Sequence, residues 1–140
     1  MRTVFQAELK QVGDELVAIA RLVRQALSEA RSAFLETELE TAQGVISNDA
    51  RIDLLQDELD ERSIDILARQ SPVASDLRTL VAALRMSTSL ERMGDLARHL
   101  AQDARRRFPE AVIPERLADD YARLFELDLA ILGGVIEMLE

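Results

Sequence analysis

The stretch "SPVASD", Ser71 to Asp76, separates two long segments whose apolar residues follow a helical pattern. Pro72 disfavours helical dihedrals in the residue before it, so the preceding helix is expected to end near Ser71. Ser75 or Asp76 is a suitable N-cap for the helix that follows. Because the connection is short, the two helices are predicted to lie side by side and antiparallel.

The helix before this turn is predicted to start at Thr37, whose side chain would form a capping box with Glu40 three residues later. Its apolar residues recur at intervals of seven, which indicates a helix that buries one face along its whole length. They are Val45, Ile52, Leu59 and Ile66.

A further helix precedes this pair, with Thr3 as its predicted N-cap and an end near Leu35. The helix after the turn is expected to run to about Phe108. The apolar stripe of the first helix consists of Val12, Leu16, Ile19, Val23, Ala26, Ala30 and Ala33. The stripe of the third helix consists of Met86, Leu90, Met93, Ala97, Leu100 and Ala104.

Two prolines, Pro109 and Pro114, bracket the loop "PEAVIP", after which a fourth helix is expected from about Glu115. This helix resembles the first one faintly at a constant offset, either by chance or because a second repeat starts here. We therefore predict an all-α protein. Residues 1–109 form an up-down-up three-helix bundle, and residues 110–140 form a loop and the first helix of a truncated second bundle.

The last helix is strongly apolar, and the sequence is expected to lack the rest of a second bundle that would cover it. We expect its apolar face to mediate self-association, so the protein is predicted to be a homo-oligomer such as a dimer. The residues expected to be uncovered are Leu129, Ile131, Leu132, Val135 and Ile136.

Composition excludes several classes of function. The formal net charge is −9, which disfavours nucleic-acid binding because such binding needs a basic surface. No apolar run approaches the roughly 18 residues of a membrane span, so any membrane association is expected to be peripheral. The early acids of the N-terminus do not fit a signal peptide, and the chain has no cysteine. A reducing, cytoplasmic location is expected.

Two pairs of acids occupy neighbouring helices at mirrored positions. Asp49 and Asp53 lie 23 and 19 residues before Pro72, while Glu91 and Asp95 lie 19 and 23 residues after it. In an antiparallel hairpin the pairs therefore reach the same height. If they face each other, four carboxylates form a site for a divalent or ferric cation, such as magnesium, manganese, calcium, iron or zinc.

These acids could instead be ordinary surface residues. Acidic helix faces are often only solvated, and Arg98 and His99 lie within one turn of Asp95 and offer ordinary surface pairing. The spacing of "DLARH" differs from the Glu-x-x-His motif of di-iron bundles. The sequence also lacks a nucleophile–His–acid constellation and a phosphate-binding glycine loop, so catalysis is not predicted.

The segment "SPVASDLRTLVAALRMSTSLERMGDLARH" resembles the PhoU family of phosphate-signalling regulators. Two linked motifs carry the resemblance, a Pro-x-Ala-Ser-Asp-Leu-Arg segment and a Glu-Arg-x-Gly-Asp segment. Here they are Pro72, Ala74, Ser75, Asp76, Leu77 and Arg78, followed by Glu91, Arg92, Gly94 and Asp95. The preceding acidic pair of the family corresponds to Asp49 and Asp53.

The resemblance implies two three-helix bundles in tandem, of which this chain would hold the first and the start of the second. It implies metal binding by Asp49, Asp53, Glu91 and Asp95. It also implies a non-enzymatic negative regulator that links a phosphate-specific ABC transporter to a sensor histidine kinase. The alternatives from other classes are a metal-storage bundle, a metal-dependent enzyme, and a scaffold bundle without a ligand.

Overall fold

A computed structural model describes residues 2–140, and in that range it contains four α-helices, one 3-10 turn and no strand. The all-α prediction is therefore confirmed. The helices are α1 (Arg2–Glu36), α2 (Leu39–Gln70), α3 (Ala74–Arg107) and α4 (Ala118–Leu139), and the 3-10 turn is Glu115–Leu117.

The start of α2 differs from the prediction. Thr37 has a φ of 59°, a left-handed conformation that ends α1, so it does not act as the N-cap of α2. Glu38 takes the N-cap position instead and makes no side-chain capping bond. The Thr41 hydroxyl donates a hydrogen bond to the Glu38 carboxylate at 2.7 Å. The predicted capping box between Thr37 and Glu40 is therefore wrong.

The other helix ends fall close to their predicted positions. Ser71, with a φ of 44°, ends α2 as expected. Extended backbone at Val73 lets α3 begin at Ala74, just ahead of the expected caps. Thr3 lies inside α1 rather than capping it, because the helix already includes Arg2.

The core is centred on α1, which packs against α2, α3 and α4. The whole predicted apolar stripe of α1 is buried, and so is the seven-residue repeat of α2. The largest fully enclosed side chains include Ile19 on α1, Leu59 and Ile66 on α2, and Leu80 on α3. Each of these two helices buries one face along most of its length, so its buried residues recur at regular intervals in the sequence.

Helix α4 lies antiparallel to α1. At one end, the Phe34 ring is 5.6 Å from that of Tyr121 and 5.9 Å from that of Phe125. At the other end, Arg21 forms an ion pair with Glu140. None of the helices in residues 2–140 combines the length and the continuous hydropathy needed to cross a bilayer.

The exposed face of α4 differs in part from the one predicted. Leu132 and Ile136 are buried against the bundle, being 0% and 3% exposed. The face that stays open carries Leu124, Leu127, Ile131 and Met138, so the prediction holds for Ile131. It was wrong for Leu132 and Ile136 because it treated α4 as having one apolar stripe, whereas the helix has two and α1 covers only one of them.

Candidate metal centre

Three of the four predicted ligands meet between α2 and α3. One carboxylate oxygen each from Asp49, Asp53 and Asp95 lies within 4.8 Å of the other two. Glu91, the fourth candidate, is not in this group of three, although it adjoins Asp95 one turn away on α3. The mirrored distances from Pro72 therefore predicted the height of the acids correctly for both helices.

The five acids of α2 that recur every four residues are not equivalent. Asp49 is buried, Asp53 is half-buried, and Asp57, Glu61 and Asp65 are exposed. A four-residue step overshoots a full turn by about 40°, so such a series winds around the helix. Only its first two members reach the groove between α2 and α3, and the rest of the series is a solvated face.

Arg98 on α3 is the cation of this cluster. Its Nη1 lies 3.0 Å from Oδ2 of Asp49, and its Nη2 lies 3.3 Å from Oδ1 of Asp95. The sequence indicated pairing with Asp95 only, three residues away on the same helix. Asp49 lies 23 residues before Pro72 and Arg98 lies 26 residues after it, so their heights differ by less than one helical turn. The counting from Pro72 that paired the acids therefore also places Arg98 near Asp49.

The cluster remains electrostatically strained despite Arg98. Burial raises the pKa of Asp49, and the nearby charge of Asp53 raises it further, while Arg98 opposes both effects. Burial also raises the pKa of Glu91, followed by its hydrogen bond with Asp95 and the charges of the other three acids. Both shifts arise first from burial and then from the neighbouring acids, so the folded cluster disfavours the charged forms of Asp49 and Glu91.

Unsatisfied oxygen atoms lie at the centre of the cluster. Both carboxylate oxygens of Asp49 and Oδ1 of Asp53 are buried without a hydrogen-bond partner. Arg98 lies within ion-pairing distance of Asp49 but not at a hydrogen-bonding angle. Buried polar atoms normally have partners, and carboxylates without them fit a hard cation. The donor set therefore suits an oxygen-liganded metal ion.

Gly94 explains how the two helices approach closely enough. It is buried in α3, and a Cβ there would lie 3.3 Å from Cδ1 of Ile52 and 3.6 Å from Oδ1 of Asp49. A side chain there would crowd Ile52 on α2 beside the cluster. The glycine between the two acids therefore allows the close approach of α2 and α3, despite its poor helix propensity.

The buried surface of α3 is wider than its predicted apolar stripe. Ser87 and Gly94, which lie outside that stripe, are buried as well. Because α3 packs against both α1 and α2, its buried arc is wider than the stripe, and the acids lie at the edge of that arc. His99 is exposed.

The fold and the cluster together define an all-α bundle protein with a carboxylate cluster between two antiparallel helices. A family model described as "PhoU domain" matches residues 8–104. The chain therefore belongs to the PhoU family.

Relatives support this assignment over nearly the whole chain. It is 33% identical over 139 residues to the phosphate-specific transport system accessory protein PhoU homolog 1 of Mycobacterium leprae, covering 99% of this chain and 63% of that protein. It is 36% identical over 124 residues to PhoU homolog 2 of Mycobacterium bovis, covering 89% of this chain and 58% of that protein.

A solved structure has the same fold. The crystal structure of PhoU from Pseudomonas aeruginosa superposes with a TM-score of 0.70 at 30% identity, covering 96% of this chain and 61% of that chain. The chain thus spans about three fifths of the length of each of these three proteins.

Proposed function

We propose that this protein is a non-enzymatic, cytoplasmic regulator of phosphate uptake that restrains phosphate-starvation signalling. Its partners in this proposal are a phosphate-specific ABC transporter and a sensor histidine kinase, which it would link by direct contact. The observation that carries the proposal is the match of 99% of the chain to a phosphate-specific transport system accessory protein.

Deletion of the gene tests this proposal. In phosphate-rich medium, the deletion strain should take up phosphate faster than wild type and express its phosphate-starvation genes. Reintroducing the gene should restore both readouts. A deletion strain with normal uptake and normal gene control would contradict the proposal.

We also propose that Asp49, Asp53 and Asp95 bind a divalent or ferric cation, with Glu91 beside them. The support comes from the convergence of three carboxylates and from the buried oxygens of Asp49 and Asp53 that accept no hydrogen bond. The role of such an ion would be structural and electrostatic rather than catalytic. It would neutralise the repulsion among the acids and cross-link α2 to α3.

Arg98 has a defined part in this proposal. Its guanidinium lies on Asp49 and Asp95 and partly balances them. An incoming cation would compete with Arg98 for the same two carboxylates. In this proposal the positive charge of Arg98 weakens cation binding. In the metal-free protein the same charge reduces the repulsion between the acids of α2 and α3.

Elemental analysis of purified protein tests the site separately from the regulatory role. The wild type should retain one or more equivalents of a transition metal, magnesium or calcium after gel filtration. A variant with Asp49→Asn, Asp53→Asn and Asp95→Asn should retain none. Asp57→Asn is the matched control, because Asp57 belongs to the same acidic series but is exposed. Equal metal content in all three proteins would refute the site.

We further propose that the exposed face of α4 mediates self-association of this chain. The support is its row of exposed apolar side chains, which includes Leu124 and Ile131 at 55% and 65% exposure. Light scattering at high protein concentration should detect a dimer or a larger species. Ile131→Glu should shift it to a monomer, and a wild type that stays monomeric would contradict this proposal.

A further inference from the structure

We propose that the outer face of α3, from Leu77 to Met93, is a docking surface for an acidic amphipathic helix of a partner protein. This surface, which we call the α3 arginine face, lies outside the carboxylate cluster. It combines a regular row of arginines with two connected apolar grooves. The inference does not depend on the proposed role in phosphate uptake.

The arginines form a row along the helix. Arg78, Arg85 and Arg92 are spaced by seven residues, so they lie nearly in line, about 10 Å apart. All three are exposed. Within residues 2–140, none of them has an ion pair or a side-chain hydrogen bond with this chain, in contrast to Arg98. Their guanidinium groups are free for a partner.

Apolar grooves accompany this row. Leu77 and Val81, in the first part of α3, are 40% and 37% exposed. Together with Arg78, Ala82, Arg85 and Met86 they line one shallow groove. A second groove shares Arg85 and Met86 and continues past Ser89, Leu90 and Met93 to Val135 on α4.

The dimensions fit a helix. From Leu77 to Met93 the surface extends about 24 Å, the length of a helix of about 16 residues. Methionines such as Met86 and Met93 adapt to different apolar partners. Helices dock in grooves of this kind through residues spaced by three, four and seven positions.

The positive charge of the α3 arginine face indicates an acidic partner. The whole chain carries a net charge of −9, yet residues 77–93 contain three arginines and one acid, Glu91. A helix with an apolar stripe and glutamates every seven residues would place a carboxylate on each guanidinium. Arginine favours such pairing because its planar group donates two parallel hydrogen bonds to a carboxylate.

An anionic membrane fits the surface less well. Helix α2 packs beside α3 and exposes Asp57, Glu61 and Asp65. A flat anionic bilayer would cover more of the surface than α3 alone, and the net charge of −9 opposes its approach. A single helix seated along α3 covers mainly the arginine row and its grooves, so the charge distribution favours a protein partner.

Binding of a synthetic peptide tests the proposal. The probe is a fluorescent 18-residue helix with a leucine stripe and glutamates at intervals of seven, titrated with the full chain by fluorescence anisotropy. We expect the double variant Arg78→Glu, Arg85→Glu to bind about tenfold more weakly than wild type. Arg24→Glu is the matched control, since Arg24 is also exposed but lies on α1, and it should bind like wild type.

A charge swap separates a specific surface from general attraction. A second peptide with lysines in place of the glutamates should bind the double variant better than it binds wild type. Equal loss of binding in Arg24→Glu and in the double variant would overturn the proposal, as would no loss in either. Stronger binding to phosphatidylserine vesicles than to the peptide would assign the surface to a membrane and overturn it. If wild type is a dimer and the double variant is a monomer, the α3 arginine face binds a second copy of the chain, which would also overturn the proposal.

Discussion

Substitution of Gly94 by alanine tests the packing that brings the acids together. A Cβ at Gly94 would lie 3.3 Å from Cδ1 and 3.5 Å from Cγ2 of Ile52, and Ile52 is only 3% exposed. Gly44, in the interior of α2, is the matched control, because a Cβ there would meet nothing within 4 Å. The two substitutions change the same residue type in a helix and differ in the space available.

The expected magnitudes follow from propensity and crowding. Alanine is more favourable than glycine in a helix interior by about 1 kcal/mol, so Gly44→Ala should raise the free energy of unfolding by about that amount. For a domain of this size 1 kcal/mol corresponds to about 3 °C in Tm. At Gly94 the same gain is opposed by overpacking, which typically costs about 1–3 kcal/mol. We expect a net loss of about 1 kcal/mol for Gly94→Ala.

A double-mutant cycle identifies the atom responsible. Ile52→Val removes Cδ1, the nearest atom, and by itself should cost about 0.5–1.5 kcal/mol. In the Gly94→Ala background the same change should cost less or restore stability, because the crowding is relieved. Urea denaturation followed by circular dichroism measures all four proteins. Crowding at Ile52 is ruled out if Gly94→Ala stabilises the protein as much as Gly44→Ala, or if the two substitutions are additive.

The remaining predictions concern the charges of the cluster. In the presence of a chelator, the Tm of Asp49→Asn should equal or exceed that of wild type. A cation at a hundredfold excess over its Kd should stabilise only wild type, by about 2.7 kcal/mol or roughly 9 °C. Equal shifts in both proteins would show that the cation binds elsewhere. Arg98→Gln should lower Tm in chelator and tighten cation binding in calorimetric titration, and unchanged affinity would show that Arg98 does not compete with the cation. Because the pKa of Asp49 is raised in the folded state, its protonation favours folding. The stability advantage of Asp49→Asn over wild type in chelator should therefore be largest at neutral pH. It should shrink as the pH falls through the raised pKa of folded Asp49 towards 3.8, the pKa of the unfolded state. An advantage that does not depend on pH would contradict the raised pKa.

Much of the candidate site follows from arithmetic along the chain. Antiparallel helices joined by a tight turn place residues at equal distances from that turn at equal heights, which paired Asp49 with Asp95 and Asp53 with Glu91. The rotation of each helix about its axis is not contained in those distances. It is set by which side chains fill the space between the helices, and this decided that Asp95 joins the two acids of α2 more closely than Glu91 does.

Local preferences along the chain are enough to specify the all-α class, the three long helices and the turn at Pro72, because these depend on backbone dihedrals and on a regular repeat of apolar residues. They also specify the residues buried on α1, whose stripe is continuous. Packing in three dimensions was needed to establish which of the two apolar stripes of α4 is covered, that Arg98 bridges Asp49 and Asp95, and that Gly94 is pressed against Ile52. Each of these depends on contact between helices far apart in the chain, and helix periodicity alone does not specify which faces meet.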